Sequence, residues 1–488
     1  MSEMVHLSLG ALQGVREQGV VKFRAVPFAA PPVGALRFAP PAPPLPWNGV
    51  LDVSQPGSIA PQPPSRLRMA MGDFEERAQS EDCLTLAIAT PAVDAGKRSV
   101  LVWLHGGAFL SGAGSLGWYD GGAMAAFGDV VVVGVNYRLG PLGFLHYPGL
   151  ADGIMGLRDI VAALRFVREH IAAFGGDPDN ITLMGQSAGG NAIMRLLMMD
   201  DTAGLFHRAI VQSGPVRIAP SPADGTARAR RLMELLGIDP AHADAAGQLR
   251  SAPAEKLVTL QMAVARELAQ FARINPAFPP VSGDPGDEAS ISDRIVAAAT
   301  MRGIDVMLGT TREEMHAFFV ADPSMAHPDP AAVAERFATL AGSEDAITRY
   351  RARRPGGDTR DLLGDLVTDH FFLSPTLGVA SRLAAAGRPA FVYRFDWGSS
   401  VAPWKACHCI ELPFLFGTLG AWHAPMLEGI DPTEYAGISK SMMAAWTAFA
   451  RTGNPSSPDL PWPAYDTSTR QILRIGPLTE VVGSPVAA

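Results

Sequence analysis

A serine held between glycines, Gly185-Gln186-Ser187-Ala188-Gly189 in LMGQSAGG, is a spacing that can make a nucleophile. In a G-x-S-x-G elbow the serine sits on a sharp strand-to-helix turn with its hydroxyl lifted clear of the sheet. Gly and Ser are also ordinary turn residues, so the flanking sequence has to decide. ITLM stands directly before and AGGNAIMRLLMM directly after, which read as a strand and a helix, the setting the elbow requires. The glycines leave room for the turn, which strains the Ser187 backbone. The helix N-terminus would help bear negative charge developing beside it.

An acyl-transfer nucleophile needs donors for the oxyanion. In SVLVWLHGGAF the strand-like run ends at Leu104 and His105-Gly106-Gly107-Ala108 follows. Gly106, Gly107 and Ala108 carry almost no side chain, so their N–H groups can approach a substrate oxygen. With the N–H of Ala188 they would stabilise a tetrahedral intermediate, each donor being worth about 3 kcal/mol. A plain glycine turn after a strand is the alternative.

The elements that must position these turns are legible as apolar runs: SVLVWL (99–104), VVVVGV (130–135), ITLM (181–184), RAIVQS (208–213), IDVMLG (304–309) and FVYRFDW (391–397). Near-continuous apolar strands suit a sheet covered on both faces. Between two of them, Leu157, Ile160, Val161, Leu164, Val167 and Ile171 fall on one face at helical spacing. Strand–helix alternation predicts an α/β fold with a largely parallel central sheet and helices on both faces. The first 90 or so residues differ, and PFAAPPVGALRFAPPAPPLPW must be mostly extended or turning. Its interleaved Phe28, Leu36, Phe38 and Trp47 predict a packed segment. Residues 217–300 read as helical and Ala- and Arg-rich with proline breaks, an insertion suited to capping a site within one domain spanning 1–488.

Bulk properties narrow the class. The 488 residues are 48% hydrophobic and 18% charged, a globular balance. No apolar run approaches the about 18 residues of a membrane span, and MSEMVHLSLGALQGV does not resemble a secretory signal. A net charge of −8 disfavours nucleic acid or an anionic membrane as partner. Three cysteines, Cys83, Cys407 and Cys409, read as reduced thiols and a cytoplasmic location. Cys407 and Cys409 flank His408, but no second cluster completes a metal site. Gly112-Ala113-Gly114-Ser115-Leu116-Gly117 fits a dinucleotide fingerprint in letters, yet it neither follows its strand directly nor opens a helical pattern.

FGGDPDNITLMGQSAGG (174–190) matches the serine signature of the type-B carboxylesterases, the cholinesterase-like branch of the α/β-hydrolases that includes bacterial p-nitrobenzyl esterase. SEDCLTL (80–86) resembles the family's second signature, with Ala87 where Asn is usual. VPFAAPPVGALRFAPP, VNYRLGPLGFL and YRFDW resemble further blocks, and the similarity runs from about residue 5 to about 475. The resemblance implies an α/β-hydrolase fold and a Ser–Glu–His triad. GTTREEM (309–315) resembles the acid block and places the acid at Glu314, with Glu313 at the neighbouring acidic position and Met315 in place of Gly. ACHCIELPFLFG (406–417) resembles the histidine block and gives His408. For His105 and His316 a structural or surface role is expected.

The resemblance further implies Ser187 as nucleophile, His408 as general base and then acid, Glu314 fixing the imidazole, and water completing hydrolysis of an acyl-enzyme. It implies no metal or organic cofactor and a small-molecule ester as substrate. Ser213 matches a position near the triad, a role that competes with that of a plain buried hydroxyl. Gln186 stands where many relatives carry Glu, which disfavours choline-type cations. Ala60 occupies the position of a family cysteine, so Cys83 is expected free. Phe109, Phe278, Phe318, Phe371 and Phe372 are candidates for an apolar acyl pocket favouring short- to medium-chain or aryl esters; amides and carbamates are alternatives. A non-catalytic binding protein of the same family is the rival from another class, opposed by the intact Ser187.

Overall fold

The computed structural model describes residues 2–217, 219–283, 286–343 and 345–484. The apolar runs become strands: β1 (Ser2–Leu7), β2 (Gly10–Glu17), β3 (Val20–Pro27), β4 (Val50–Asp52), β5 (Thr85–Thr90), β6 (Arg98–Leu104) and β7 (Val131–Val135). They continue with β8 (His146–Tyr147), β9 (Ala151–Asp152), β10 (Gly176–Gln186), β11 (Arg208–Gln212), β12 (Asp305–Thr311), β13 (Ala390–Phe395), β14 (Gln471–Ile475) and β15 (Glu480–Gly483). One 13-stranded sheet runs β1-β2-β3-β5-β7-β6-β10-β11-β12-β13-β14-β15 with β4 beside β2, while β8 and β9 form a separate hairpin. From β7 to β14 every neighbour is parallel. The pairings from β1 through β2, β3 and β5 to β7 and the final pair are antiparallel, whereas β4 lies parallel to β2. This is the α/β-hydrolase architecture, with its mostly parallel centre.

Why the central strands are apolar throughout is visible in β6. Val100, Val102 and Leu104 enter the core on one face of the sheet, and Leu101 and Trp103 enter the core on the other. The helix Met155–His170 seals the first face with Leu157, Ile160, Val161, Leu164 and Val167. The helix Pro432–Thr452 seals the second with Met442, Trp446 and Phe449. Each such side chain stabilises the fold by about 1.5–3 kcal/mol relative to its exposed state. β10 is longer than ITLM because Gly176 already pairs with Arg98 before a register shift brings Ile181 opposite Val100.

The proline-rich segment is packed. Phe28 and Phe38 are buried, Leu36 and Trp47 are half-buried, and Trp47 Nε1 donates to the Ala11 carbonyl at 2.9 Å. The stretch 217–300 divides in two. Helices Pro222–Leu235 and Ala254–Glu267 pack on each other, whereas Glu288–Arg302 leads directly into β12 and buries Ile291, Ile295 and Ala299 in the main core. That last helix is a crossover of the parallel sheet, made necessary by the parallel pairing of β11 with β12.

Candidate active site

In an open α/β sheet, loops at the C-terminal ends of parallel strands share one edge and gather the functional groups. Here Gly185 is in register with Leu104, Gln186 with Gln212, and Gln212 with Gly309. The turns after β6, β10, β11 and β12 therefore emerge side by side. Ser187 follows β10 at φ 56°, ψ −118°, a conformation a non-glycine residue rarely adopts. Its N–H donates to the Gln212 carbonyl at 2.8 Å, and its carbonyl accepts from Asn191 at 2.9 Å as the helix Ala188–Leu197 begins. Gly189 is required by space: a Cβ there would lie 1.9 Å from the Leu104 carbonyl oxygen.

The acid and the imidazole arrive on loops tied to each other. Glu314 lies just past β12 and is fully buried; its Oε1 accepts from the Thr311 N–H at 2.8 Å. Its Oε2 meets His408 Nδ1 in a short contact. The His408 N–H donates to the Glu314 carbonyl at 3.3 Å and the Glu313 N–H to that of Ala406 at 2.9 Å. With Nδ1–H given to Glu314, His408 Nε2 carries the lone pair. Gln186 Nε2 lies 3.1 Å from it and donates to it, while Gln186 Oε1 accepts from Cys409 Sγ at 3.5 Å. An amide can make that donation and a carboxylate cannot, so Gln186 favours the tautomer that a general base needs. The rings of Phe318 and Phe372 tilt against the imidazole with centroids 5.1 and 5.4 Å away.

Ser187 and His408 open into one cavity of about 810 Å³ including its mouth, lined also by Gly106, Gly107, Ala108, Ala188 and Gln186. Among the described residues, the N–H groups of Gly106, Gly107 and Ala108 donate to no backbone carbonyl. The chain reaches them through a left-handed run, Gly107 at φ 107°, Ala108 at 57° and Phe109 at 60°. Such a run turns successive N–H groups toward a common point, as an oxyanion requires.

Phe109, Phe318 and Phe372 line the cavity, together with Phe74, Trp118 and Tyr119. Phe278 and Phe371 do not. Phe278 is buried in the main core, and Phe371 packs on the cluster around Phe337 and Leu363 with the Arg336 guanidinium 6.0 Å above its ring. Phe371 and Phe372 are adjacent and face different surroundings, which spacing alone does not reveal. Ser213 is buried at φ 48° beside β12, its N–H on the Gly309 carbonyl at 2.7 Å and its hydroxyl without a described partner. His105 stacks on Tyr137 at 4.4 Å, and burial lowers its pKa to about 4, with the Gly106 carbonyl opposing. His316 is buried against the Pro403 carbonyl at 3.1 Å. Cys83, Cys407 and Cys409 are unpaired and buried, Cys407 facing Met426 Sδ. Among the described residues no three His, Cys, Asp or Glu side chains gather as a metal site. The glycine run 112–117 ends in a short 3-10 turn, Gly117–Tyr119, so no helix N-terminus stands ready for a pyrophosphate.

Two groups at the site escape the sequence reading. Glu411, three residues after His408, is completely buried with no described partner for either carboxyl oxygen. Burial, reinforced by the charge on Glu314, pushes its pKa up to about 8. A lone acid inside the apolar run CIELPFLF was the available signal. Arg66 lines the cavity mouth, and nothing in its proline-rich surroundings marks it.

The comparisons agree with this fold. The model of the carboxylesterase family matches residues 1–485. The chain is 38% identical over 484 residues to the para-nitrobenzyl esterase of Bacillus subtilis, covering 96% of this chain and 94% of that one. It is 38% identical over 481 residues to the phenmedipham hydrolase of Pseudarthrobacter oxydans, covering 97% and 95%. A solved carboxylesterase of Geobacillus stearothermophilus superposes with a TM-score of 0.85 at 35% identity, covering 99% of this chain and 98% of the other. Matched over nearly its whole length, the chain belongs to the carboxylesterase family, as a type-B serine hydrolase of carboxylic esters.

Proposed function

We propose that the protein hydrolyses short- to medium-chain or aryl carboxylic esters through Ser187, Glu314 and His408. The observation that carries this reading is the union in one cavity of a strained serine at a strand end and an imidazole held by a buried carboxylate. His408 Nε2 leaves its Gln186 contact to take the Ser187 proton as the hydroxyl attacks the ester carbonyl. The oxyanion is received by the N–H groups of Gly106, Gly107, Ala108 and Ala188. His408 then protonates the departing alkoxide, and a water deprotonated by the same nitrogen releases the acid from Ser187. Glu314, held against Nδ1, stabilises the imidazolium. Ser213, behind this set, is a candidate support. The aromatic walls Phe109, Phe318 and Phe372 supply the apolar acyl pocket. Ile274, which reaches the cavity from the 217–300 segment, supports a capping role for part of that segment. Three buried unpaired thiols fit a reducing, cytoplasmic compartment.

The test is hydrolysis of p-nitrophenyl esters from acetate to palmitate, with Ser187→Ala in parallel. Activity should peak at short or medium chains and fall by about four to six orders of magnitude in kcat in the variant. Comparable rates on palmitate would overturn the size of the pocket. A folded wild-type protein no faster than the variant would overturn catalysis.

A further inference from the structure

The cavity wall carries one permanently charged side chain. Arg66, in the turn entering the helix Arg68–Met71, lines the same space as Ser187 and His408. Among the described residues, no Asp, Glu or Lys lines it. Residue 186, beside the nucleophile, is a neutral glutamine. Several arginines elsewhere are paired with carboxylates: Arg37 with Glu81, Arg138 with Asp159, and Arg354 with Asp365 and Glu313. Arg66 makes no hydrogen bond or ion pair among the described residues. Arg66 is exposed at the cavity mouth, and no carboxylate is close enough to raise its pKa. An unpaired guanidinium at the rim of the cavity is free to receive an anion, and its planar fork fits a carboxylate in two parallel hydrogen bonds.

The rest of the wall sharpens the preference. Phe74, Trp118, Tyr119, Phe318 and Phe372 make the space apolar, so a charge inside it is screened less than in bulk water. An anionic substituent meets Arg66 there, a neutral one gains apolar contact alone, and a cationic one meets a like charge with no carboxylate to offset it.

We propose that Arg66 makes this cavity selective for esters that carry a carboxylate of their own, its guanidinium binding that group while Ser187 attacks the ester carbonyl. The proposal rests on the ester-hydrolase reading of the site and adds the class of substrate. The carboxylate can stand on the acyl or on the alcohol portion, and the experiment separates the two.

The experiment compares two matched pairs. Para-acetoxybenzoate against its methyl ester places the charge on the leaving group, and mono-p-nitrophenyl glutarate against p-nitrophenyl valerate places it on the acyl group. The readout is the ratio of kcat/KM for the anionic ester to that for the neutral one. In one pair this ratio should fall at least about tenfold in Arg66→Gln, further in Arg66→Glu, and return substantially in Arg66→Lys. A ratio unchanged by Arg66→Gln in both pairs overturns the proposal. Loss of both esters of a pair to the same degree shows a packing role for Arg66 and overturns it equally. If the wild-type protein hydrolysed neither neutral ester, the enzymatic reading would be the one to fail. Arg66 is then judged by equilibrium binding of para-acetamidobenzoate to Ser187→Ala protein. Binding weakened at least about tenfold by adding Arg66→Gln upholds the anion site, and equal binding overturns it.

Discussion

Three buried glutamates, Glu313, Glu314 and Glu411, stand within three residues of Glu314 or His408 in sequence, and their surroundings treat them differently. On one side Glu313 accepts from Arg312 Nε at 2.8 Å, Arg354 Nη2 at 3.0 Å and the Ala406 N–H at 3.0 Å. Burial alone would raise its pKa, and the two guanidinium groups outweigh it and hold the carboxyl below its usual range. On the other side Glu411 is equally buried with no cation beside it, and burial outweighs the nearby Gln212 amide and pushes it toward the neutral acid. Glu314 lies between them, bonded to a backbone N–H and to His408. The contrast teaches that burial does not set the state of a carboxyl; the donors brought to it do. An ionised Glu411 would place a second negative charge near Glu314 without a cation to balance it.

Removing the charge from each glutamate in turn should separate these roles. The largest effect belongs to Glu314→Gln, which keeps the shape and withdraws the acceptor that fixes the Nδ1–H tautomer. Its kcat should fall by about three to four orders of magnitude in steady-state assays. A loss within tenfold would mean that another group orients His408. Glu313→Gln should act on stability, costing about 2–3 kcal/mol in urea unfolding because Arg312 and Arg354 lose their anion. It should cost less in kcat than Glu314→Gln, and the reverse order would merge the two sites into one catalytic unit.

Glu411→Gln should have the smallest effect on kcat, and its effect on stability is visible as a slope. From the ordinary glutamate value of 4.5 to about 8, the folded protein keeps the Glu411 proton and the unfolded chain releases it. Its contribution to stability is therefore full at low pH and is lost as pH rises through that window. Relative to Glu411→Gln, the wild-type protein should lose up to about 1.4 kcal/mol of unfolding free energy per pH unit there. Parallel curves for the two proteins would show that Glu411 is already ionised and paired.

Much of this was legible before the fold. Ser187, Glu314 and His408 lie in long motifs, and the turns that carry Ser187 and Gly106–Ala108 were marked by apolar runs ending at glycines. These features are local, so sequence records them directly. The parallel sheet followed from strands apolar on both faces. The misread side chains share a physical cause. Phe278 and Phe371 have the composition of pocket residues, but which way an aromatic ring faces is decided by packing partners far away in sequence. The helix Glu288–Arg302 looked continuous with the preceding insertion because its polar face and small residues give little periodic signal. Glu411 and Arg66 escaped for the opposite reason, since their importance lies in partners they lack.

The register that aligns Leu104, Gly185, Gln212 and Gly309 also divides the labour of the chain. One ladder of backbone hydrogen bonds underlies the turns that carry Ser187, Gly106–Ala108 and Glu314, so a slip in its register would displace all three together. The cavity walls at Arg66, Phe74, Ile274, Phe318 and Phe372 hang from turns, loops and helices outside that ladder. Such walls can be altered one at a time without moving that register, so the shape of the cavity and the alignment of its turns are set by separate parts of the chain.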